Sequence, residues 1–323
     1  MKAVLCKQYG PPDSLVLEEL DSPRAGPGEV VVSVKAASVN FPDVLIIQNK
    51  YQFKPPLPFS PGSELSGVVK EAGAGVAYRP GDRVMAFTTY GAFAEEVKVD
   101  AARLLPIPGG MDFVSAAAFL LTYGTSDHAL RDRGALAPGE TLLVLGAAGG
   151  VGLAAVEIGK ALGARVIACA SSGEKLAVCR SHGADATVDY AAEDLRERVK
   201  ALTDGRGVDV VYDPVGGPYS EPAFRSLAWR GRLLVVGFAA GEIPKLPLNL
   251  ALLKGASIVG VFWGDFARRE PRRFADSVHQ LGHWYREGKL RPHVSQTLPL
   301  EKAAEALKLM AARQVKGKVV LTM

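Results

Sequence analysis

One segment near the middle of the chain limits the possible folds more than any other. An apolar run at residues 141–145 passes directly into the glycine-rich stretch GAAGGVG at 146–152, and apolar residues then recur at helical spacing as far as Leu162. This pattern predicts a buried strand, a tight turn and a helix. Three more apolar runs alternate with helical patterns, at residues 165–169, 208–212 and 232–236. Buried strands that alternate with amphipathic helices are typical of a parallel, doubly wound α/β sheet.

The glycine-rich stretch also predicts a ligand. Its residues fit the pattern Ala147-x-Gly149-x-x-Gly152 rather than strict Gly-x-Gly-x-x-Gly. Gly149 would let a pyrophosphate approach the backbone, Gly152 would let the helix pack closely on the strand, and the first N–H groups of the helix would face the phosphates. A tight turn without a ligand could use the same glycines, but the strand–turn–helix context favours a dinucleotide. The predicted contacts are Ala148, Gly149, Gly150 and Val151.

The end of the second strand indicates which dinucleotide is bound. NAD-binding folds place an acidic residue about 20 residues after the glycines, where it bonds the ribose 2′-hydroxyl. Here the sequence at 169–173 is CASSG, with no acid at the tip of the strand. Ser171, Ser172 and Lys175 would accommodate a 2′-phosphate, and the neighbouring Glu174 would complement the start of a helix. The sequence therefore predicts NADPH as the cofactor.

The two ends of the chain predict a second domain. Residues 1–117 contain short apolar runs separated by turns with Gly and Pro, the pattern of a β-rich domain. Residues 118–263 carry the cofactor pattern, and residues 264–323 contain two helical patterns and a final strand. The simplest arrangement folds 1–117 and 264–323 together as a catalytic domain, with the NADPH-binding domain at 118–263 inserted between them.

Five motifs give the chain a specific resemblance to a known family. They are NFPD at 40–43, PGSE at 61–64, PGDRV at 80–84, AAGGVG at 147–152 and GKV at 317–319. In this order, the motifs resemble those of the zinc-independent, zeta-crystallin-like NADPH:quinone oxidoreductases of the medium-chain dehydrogenase/reductase superfamily. The resemblance covers essentially the whole chain. It implies a GroES-like β-rich catalytic domain beside a Rossmann domain, with the active site in the cleft between them.

The resemblance also implies individual site residues. Asn40 matches the asparagine that faces the nicotinamide and is a candidate catalytic residue, and Thr122 matches a cofactor-facing threonine. Tyr190 matches a tyrosine that flanks the 2′-phosphate beside a lysine such as Lys175. The other implied cofactor contacts are Gly237, Phe238, Phe262, Trp263 and Lys316. Tyr190 and Phe238 could equally be packing residues, whereas Asn40 lies in an apolar stretch and demands a polar partner.

Tyr51 is a second candidate catalytic residue. Its phenol lies in the segment KYQF at 50–53, near the expected cleft, and could deliver a proton to the substrate. An aromatic residue that packs on the substrate is an equally good interpretation of the same position.

Other residues stand where zinc-dependent relatives have their metal ligands. Zinc prefers thiolate and imidazole ligands, but Asn40 occupies the first ligand position and Ser63 replaces the histidine of a Gly-His-Glu motif. No cysteine lies between residues 91 and 106, where a structural zinc lobe would be. His279 and His283 lack the glutamate of a metalloprotease motif and are interpreted as surface histidines. We therefore predict that the protein binds no metal.

These residues favour one reaction and leave two alternatives. Without a Lewis acid, conjugate reduction is easier than ketone reduction, because the negative charge spreads into an enolate or hydroquinone. We predict NADPH-dependent hydride transfer to a quinone or an α,β-unsaturated carbonyl compound. An enoyl-CoA reductase is one alternative, in which the arginines at 268–273 would meet a CoA phosphate. A non-catalytic NADPH-binding protein is the other.

Composition and patterning also predict partners and location. The net charge is only +4 and no polybasic arm is present, so neither nucleic acid nor a membrane is expected as a partner. The three cysteines are too few for a disulfide framework, and the first residues do not form a secretory signal, which together favour the cytoplasm. Residues 257–262 match the edge strand through which relatives form homodimers.

Overall fold

A computed structural model describes residues 1–323, which divide into two compact units. The first unit combines Met1–Leu121 with Pro292–Met323, and the second unit is Thr122–Arg291. Residues 264–291 were expected with the chain ends but lie in the second unit. Two of the contacts that join this segment to the second unit are the Phe266 ring, which stacks on His128 with centroids 4.0 Å apart, and the Ser277 hydroxyl, which donates to Asp127.

The N-terminal part of the first unit is rich in strands, as predicted. Its elements are β1 (Lys2–Leu5), β2 (Val16–Glu19), β3 (Glu29–Val39), α1 (Phe41–Ile46), β4 (Glu64–Ala72), β5 (Arg83–Phe87), β6 (Glu96–Asp100), β7 (Leu104–Pro106) and α2 (Phe113–Ala117).

The middle of the chain alternates helices and strands. Its elements are α3 (Leu120–Asp127), a π-helical segment (His128–Arg133), β8 (Thr141–Val144), α4 (Gly150–Ala161), β9 (Arg165–Ala170), α5 (Gly173–Ser181), β10 (Ala186–Asp189), α6 (Leu195–Leu202), β11 (Val208–Asp213), α7 (Ser220–Arg225), β12 (Leu227–Val235), α8 (Asn249–Lys254), β13 (Ser257–Gly260), α9 (Trp263–Arg269) and α10 (Pro271–Arg286).

The C-terminal segment completes the first unit. It contributes β14 (Val294–Pro299), α11 (Ala303–Ala311) and β15 (Lys318–Thr322). The main sheet of this unit has the order β14-β15-β3-β4-β5-β7, and β6 also pairs with β3. Only the β14–β15 pair is parallel. Because β15 lies beside β3, the last strand of the chain becomes a neighbour of the NFPD motif, which starts at the end of β3.

The sheet of the second unit is wholly parallel and has the order β10-β9-β8-β11-β12-β13. Counted along the chain, that order is 3-2-1-4-5-6, the arrangement of dinucleotide-binding folds. Every residue of β8 is buried, since helices cover both faces of such a sheet. The predicted combination of a β-rich GroES-like part and a doubly wound parallel sheet is confirmed.

Candidate functional site

The loops that follow five strands of the parallel sheet carry most of the predicted cofactor contacts. The glycine-rich stretch follows β8, Ser171 and Ser172 follow β9, and Tyr190 follows β10. The contacts that follow β12 and β13 are Gly237, Phe238, Phe262 and Trp263. Because the strands are parallel, their carboxyl ends meet at one edge, and open α/β sheets bind their ligands at that edge.

Two glycines of the glycine-rich stretch have different surroundings, one closely packed and the other open. A methyl group on Gly152 would lie 2.4 Å from the Gly146 oxygen and 2.7 Å from Ala147 Cα, so packing within the protein requires this glycine. A methyl group on Gly149 would meet only the Gly146 oxygen, at an ordinary 3.4 Å. Gly149 therefore keeps open a space that the protein itself does not fill.

The N-terminus of α4 suits an anion. Its N-cap residue is Gly149, which has no side chain to accept hydrogen bonds from the first turn, and no acidic residue lies in that turn. Unpartnered N–H groups and the helix dipole favour a phosphate at this position. The open space at Gly149 lies at the same helix end, so the residues fit the pyrophosphate of a dinucleotide.

Polar groups from two adjacent strands meet beside the tip of β9. Lys175 Nζ lies 3.3 Å from Ser171 Oγ, and Ser172 accepts a hydrogen bond from the Lys175 backbone N–H at 3.4 Å. The Tyr190 N–H donates to the Ala170 oxygen at 3.1 Å, which ties the start of the next loop to the end of β9. This corner offers hydroxyl groups and an ammonium, the donor set that a 2′-phosphate requires.

The aromatic candidates differ in their surroundings. Trp263 is buried, and a methyl group on Gly124 would lie 2.7 Å from its Nε1, so the indole fills the space beside α3. Phe262, the preceding residue, is 58% exposed. Trp263 therefore packs within the second unit, whereas the ring of Phe262 is accessible to a ligand or a partner. Thr122, in the first turn of α3, is buried.

Three candidate residues, Asn40, Tyr51 and Lys316, lie in the first unit, and all the others lie in the second. Asn40 belongs to a buried polar cluster that also contains Ser38, Asp43, Ser63, Glu64 and Lys318. The Asn40 side-chain oxygen accepts a hydrogen bond from Lys318, and its side-chain nitrogen donates to the Ser38 oxygen at 3.3 Å. Asn40 thus has the polar partners that its apolar surroundings demand.

The other members of the buried polar cluster were not recognised as candidates from the sequence. Two signals were available. The Asn40-x-x-Asp43 spacing is a helix N-cap pattern, and the Asn40 N–H does donate to Asp43 Oδ2 at 2.7 Å. Lys318 is a charged residue in an otherwise apolar strand. What the sequence does not reveal is that β15, β3 and β4 are neighbours, which places Lys318 beside Asn40 and Glu64.

Burial is the largest cause of the pKa shifts of Asp43, Lys318 and Tyr51. Burial raises the pKa of Asp43 to about 7, with a small contribution from Glu64, while the Asn40 N–H, Lys318 and Ser63 act in the opposite direction. Burial also lowers the pKa of Lys318, against the attraction of Glu64 and Asp43. The pKa of Tyr51 is raised by burial and by the nearby Asp43. Tyr51 is therefore a neutral phenol, able to donate a hydrogen bond, throughout the physiological pH range.

No group of three or more His, Cys, Asp or Glu side chains is arranged to hold a metal ion. His283 lies 3.2 Å from Glu287 on the exposed side of α10. None of the helices has both the length and the apolar character needed to cross a membrane.

Comparison with known proteins agrees with this architecture. The family model described as the alcohol dehydrogenase GroES-like domain matches residues 26–109, and the one described as zinc-binding dehydrogenase matches residues 150–280. The chain is 40% identical to quinone oxidoreductase-like protein 2 homolog of Nematostella vectensis, over 99% of this chain and 88% of the relative. It is 36% identical to the quinone oxidoreductase of Pseudomonas aeruginosa, over 99% of both chains.

A solved structure extends the comparison to three dimensions. Escherichia coli quinone oxidoreductase, crystallised as a complex with NADPH, superposes with a TM-score of 0.94 at 29% identity and covers 100% of both chains. Similarity over complete chains, together with both family models in their expected order, leaves one assignment. The chain belongs to the quinone oxidoreductase family of the medium-chain dehydrogenase/reductase superfamily.

Proposed function

We propose that the protein reduces quinones or α,β-unsaturated carbonyl compounds with NADPH, by hydride transfer and without zinc. The observation that carries the proposal is the 3-2-1-4-5-6 parallel sheet, whose carboxyl edge holds an open helix N-terminus at Gly149 and the Ser171–Lys175 pair. The names of the two quinone oxidoreductase relatives and the NADPH complex of the E. coli protein support it.

Each end of the cofactor has proposed partners in the second unit. The first N–H groups of α4, with Ala148, Gly149, Gly150 and Val151, would hold the pyrophosphate. Ser171, Ser172, Lys175 and Tyr190 would hold the 2′-phosphate, with the lysine supplying the charge. When bound, NADPH supplies the hydride.

The nicotinamide end also has proposed contacts. In the second unit they are Thr122, Gly237, Phe238, Phe262 and Trp263. Asn40 and Lys316 are further proposed contacts that follow from the family resemblance. Their proposed task is to hold the nicotinamide ring in one orientation and to exclude water.

The substrate class follows from the chemistry of these groups. A quinone or enone disperses the incoming charge over a conjugated system, so hydrogen bonds from neutral donors suffice to stabilise it. Tyr51 is such a donor, because its raised pKa keeps the phenol protonated. We propose Tyr51 either as the proton donor or as an aromatic residue that packs on the substrate, and a Tyr51→Phe variant with full turnover would exclude proton donation.

The enoyl-CoA alternative receives little support from the arginine run. Arg268 and Arg269 contact Asp265 at 2.6 and 2.5 Å, and Arg273 contacts Glu270 at 2.6 Å. Three of the four guanidinium groups in the run therefore already have carboxylate partners, which a CoA phosphate would have to displace.

We also propose a cytoplasmic homodimer. The edge strand β13 pairs only with β12 and exposes Ile258. Leu252 and Leu253 of the adjacent helix α8 are 80% and 69% exposed, an apolar surface that a two-fold partner would cover. The three cysteines are buried free thiols, in keeping with a reducing compartment.

Steady-state oxidation of NADPH and NADH, measured in parallel with quinones, enones and enoyl-CoA esters, tests the proposal. We expect turnover that prefers NADPH, favours quinones or enones, and is unchanged by a metal chelator. Tight NADPH binding without turnover on any acceptor would favour the non-catalytic alternative. Chelator-sensitive oxidation of alcohols would contradict the zinc-free assignment.

A further inference from the structure

The buried polar cluster of the first unit contains Lys318, a residue that has no assigned role in the proposed reduction. Lys318 opens β15 and is 3% exposed, and Glu64 opens β4 and is fully buried. Burying an ammonium and a carboxylate costs free energy that neighbouring polar groups must offset. Lys318 lies near both Glu64 and Asn40, and its contacts show which of the two it binds directly.

The distances from Lys318 Nζ distinguish Asn40 from Glu64 as its direct partner. Lys318 Nζ donates a hydrogen bond to Asn40 Oδ1 and another to the Val39 oxygen at 3.3 Å, whereas Glu64 Oε2 lies 3.7 Å away, beyond hydrogen-bond distance. The Glu64 oxygens are bonded elsewhere: Oε2 accepts from Ser38 Oγ at 2.6 Å and Oε1 accepts from the Leu121 N–H at 2.8 Å. The direct side-chain partner of the ammonium is therefore Asn40, and Glu64 acts on it through charge.

This contact also defines the orientation of the carboxamide. An ammonium can only donate, so the atom that faces Lys318 must be the Asn40 oxygen, which turns the nitrogen toward Ser38. The nitrogen contacts are neutral and long, at 3.2 and 3.3 Å, whereas the hydrogen bond from the Lys318 ammonium is charge-assisted and therefore the stronger restraint on this side chain.

We infer that Lys318 is a positioning residue for the reduction: its ammonium fixes the Asn40 carboxamide, and Glu64 is the counter-charge that allows the ammonium to stay buried. The inference rests on the proposed function, in which Asn40 contacts the nicotinamide. In this proposal Lys318 acts on the reaction through its contact with Asn40.

Charge-balanced variants test it. Lys318→Met leaves Glu64 without a counter-charge, so we expect it to lower both the Tm and kcat. Lys318→Met/Glu64→Gln removes both charges and should recover most of the Tm while kcat stays about tenfold below the wild type. KM for NADPH should remain within about twofold, because the phosphate contacts lie in the second unit. In an Asn40→Ala background the same pair of changes should not reduce kcat further.

Lys318→Gln/Glu64→Gln is the matched control, since it is also neutral but keeps an N–H donor near Asn40. We expect it to retain more of kcat than the methionine pair. Recovery of both Tm and kcat in Lys318→Met/Glu64→Gln would overturn the inference and leave Lys318 as a counter-ion only. Wild-type protein that fails to turn over any quinone or enone would overturn the proposed function, and this inference with it.

Discussion

Two glycines of one loop make different demands on the protein. Gly152 packs against the backbone of Gly146 and Ala147, while Gly149 has room for a methyl group and an ordinary φ of −80°. Close packing at Gly152 is a requirement of folding, whereas the open space at Gly149 is a requirement of ligand binding. The motif assigned these two roles, and the surroundings of each glycine in the structure agree with them.

This difference predicts opposite effects for two alanine substitutions. Gly152→Ala should lower the free energy of unfolding by roughly 1–3 kcal/mol, because the added methyl overlaps the backbone. Gly149→Ala should unfold within about 0.5 kcal/mol of the wild type yet raise the Kd for NADPH about tenfold or more, because the methyl enters the phosphate space. Urea unfolding and a fluorescence titration with NADPH measure the two quantities. Equal binding by Gly149→Ala and the wild type would contradict the assignment of the phosphate site.

Asp43 predicts a pH dependence of stability. Burial raises its pKa from 3.8 to about 7, so the folded protein holds a proton that the unfolded chain releases near pH 4. Its contribution to stability is therefore largest below pH 4, falls as the pH rises to about 7, and then stays constant. Asp43→Asn cannot ionise and should lack this fall, which for one proton is at most about 1.4 kcal/mol per pH unit.

Unfolding of the wild type and Asp43→Asn at pH 5 and pH 8 checks this prediction. Asparagine keeps an oxygen that can accept from the Asn40 N–H, so the start of α1 should survive the substitution. We expect the stability of the variant relative to the wild type to be higher at pH 8 than at pH 5. An equal difference at the two pH values would mean that Asp43 is ionised throughout.

At the scale of single elements, sequence patterns identify the buried strands better than the helices around them. The apolar runs at 141–145, 165–169 and 208–212 become β8, β9 and β11, because a strand covered on both faces needs continuous apolar residues. The Ala-rich composition of residues 115–135 favours helix, and the structure divides the stretch among α2, α3 and a π-helical segment. Alanine favours helix without fixing where tertiary packing ends it.

The edge strand β13 carries a prediction about assembly. If two copies pair through β13, Ile258→Lys places a charge at the shared edge and should shift a dimer to a monomer. Val16→Lys on β2 is the matched control, since Val16 is 38% exposed and Ile258 is 41% exposed. Light scattering after size exclusion measures the mass. A monomeric wild type, or a dimer that survives Ile258→Lys, would contradict the proposed interface.

At the scale of the whole molecule, the sequence predicts sites whose residues are close together in the chain. It misses sites whose residues meet only through the order of the strands. The glycine loop, Ser171, Ser172 and Lys175 lie within 30 residues of one another, so a local pattern can relate them. Ser38, Glu64 and Lys318 come from three separate parts of the chain and meet only because β15, β3 and β4 are adjacent. Which strands become neighbours depends on how the whole sheet assembles, and no short motif encodes that order.

Cofactor binding should also appear as stability of the whole protein. A ligand that binds only the folded state at 100 times its Kd stabilises that state by about 2.7 kcal/mol, which shifts the Tm by roughly 5–10 °C for a domain of this size. If Lys175 and Ser171 hold a 2′-phosphate, NADPH should raise the Tm more than NADH at the same concentration. Lys175→Ala should remove most of this difference and leave the response to NADH unchanged, because NADH has no phosphate there. Differential scanning calorimetry measures both shifts, and an equal rise with the two cofactors would point instead to a site that does not recognise the 2′-phosphate.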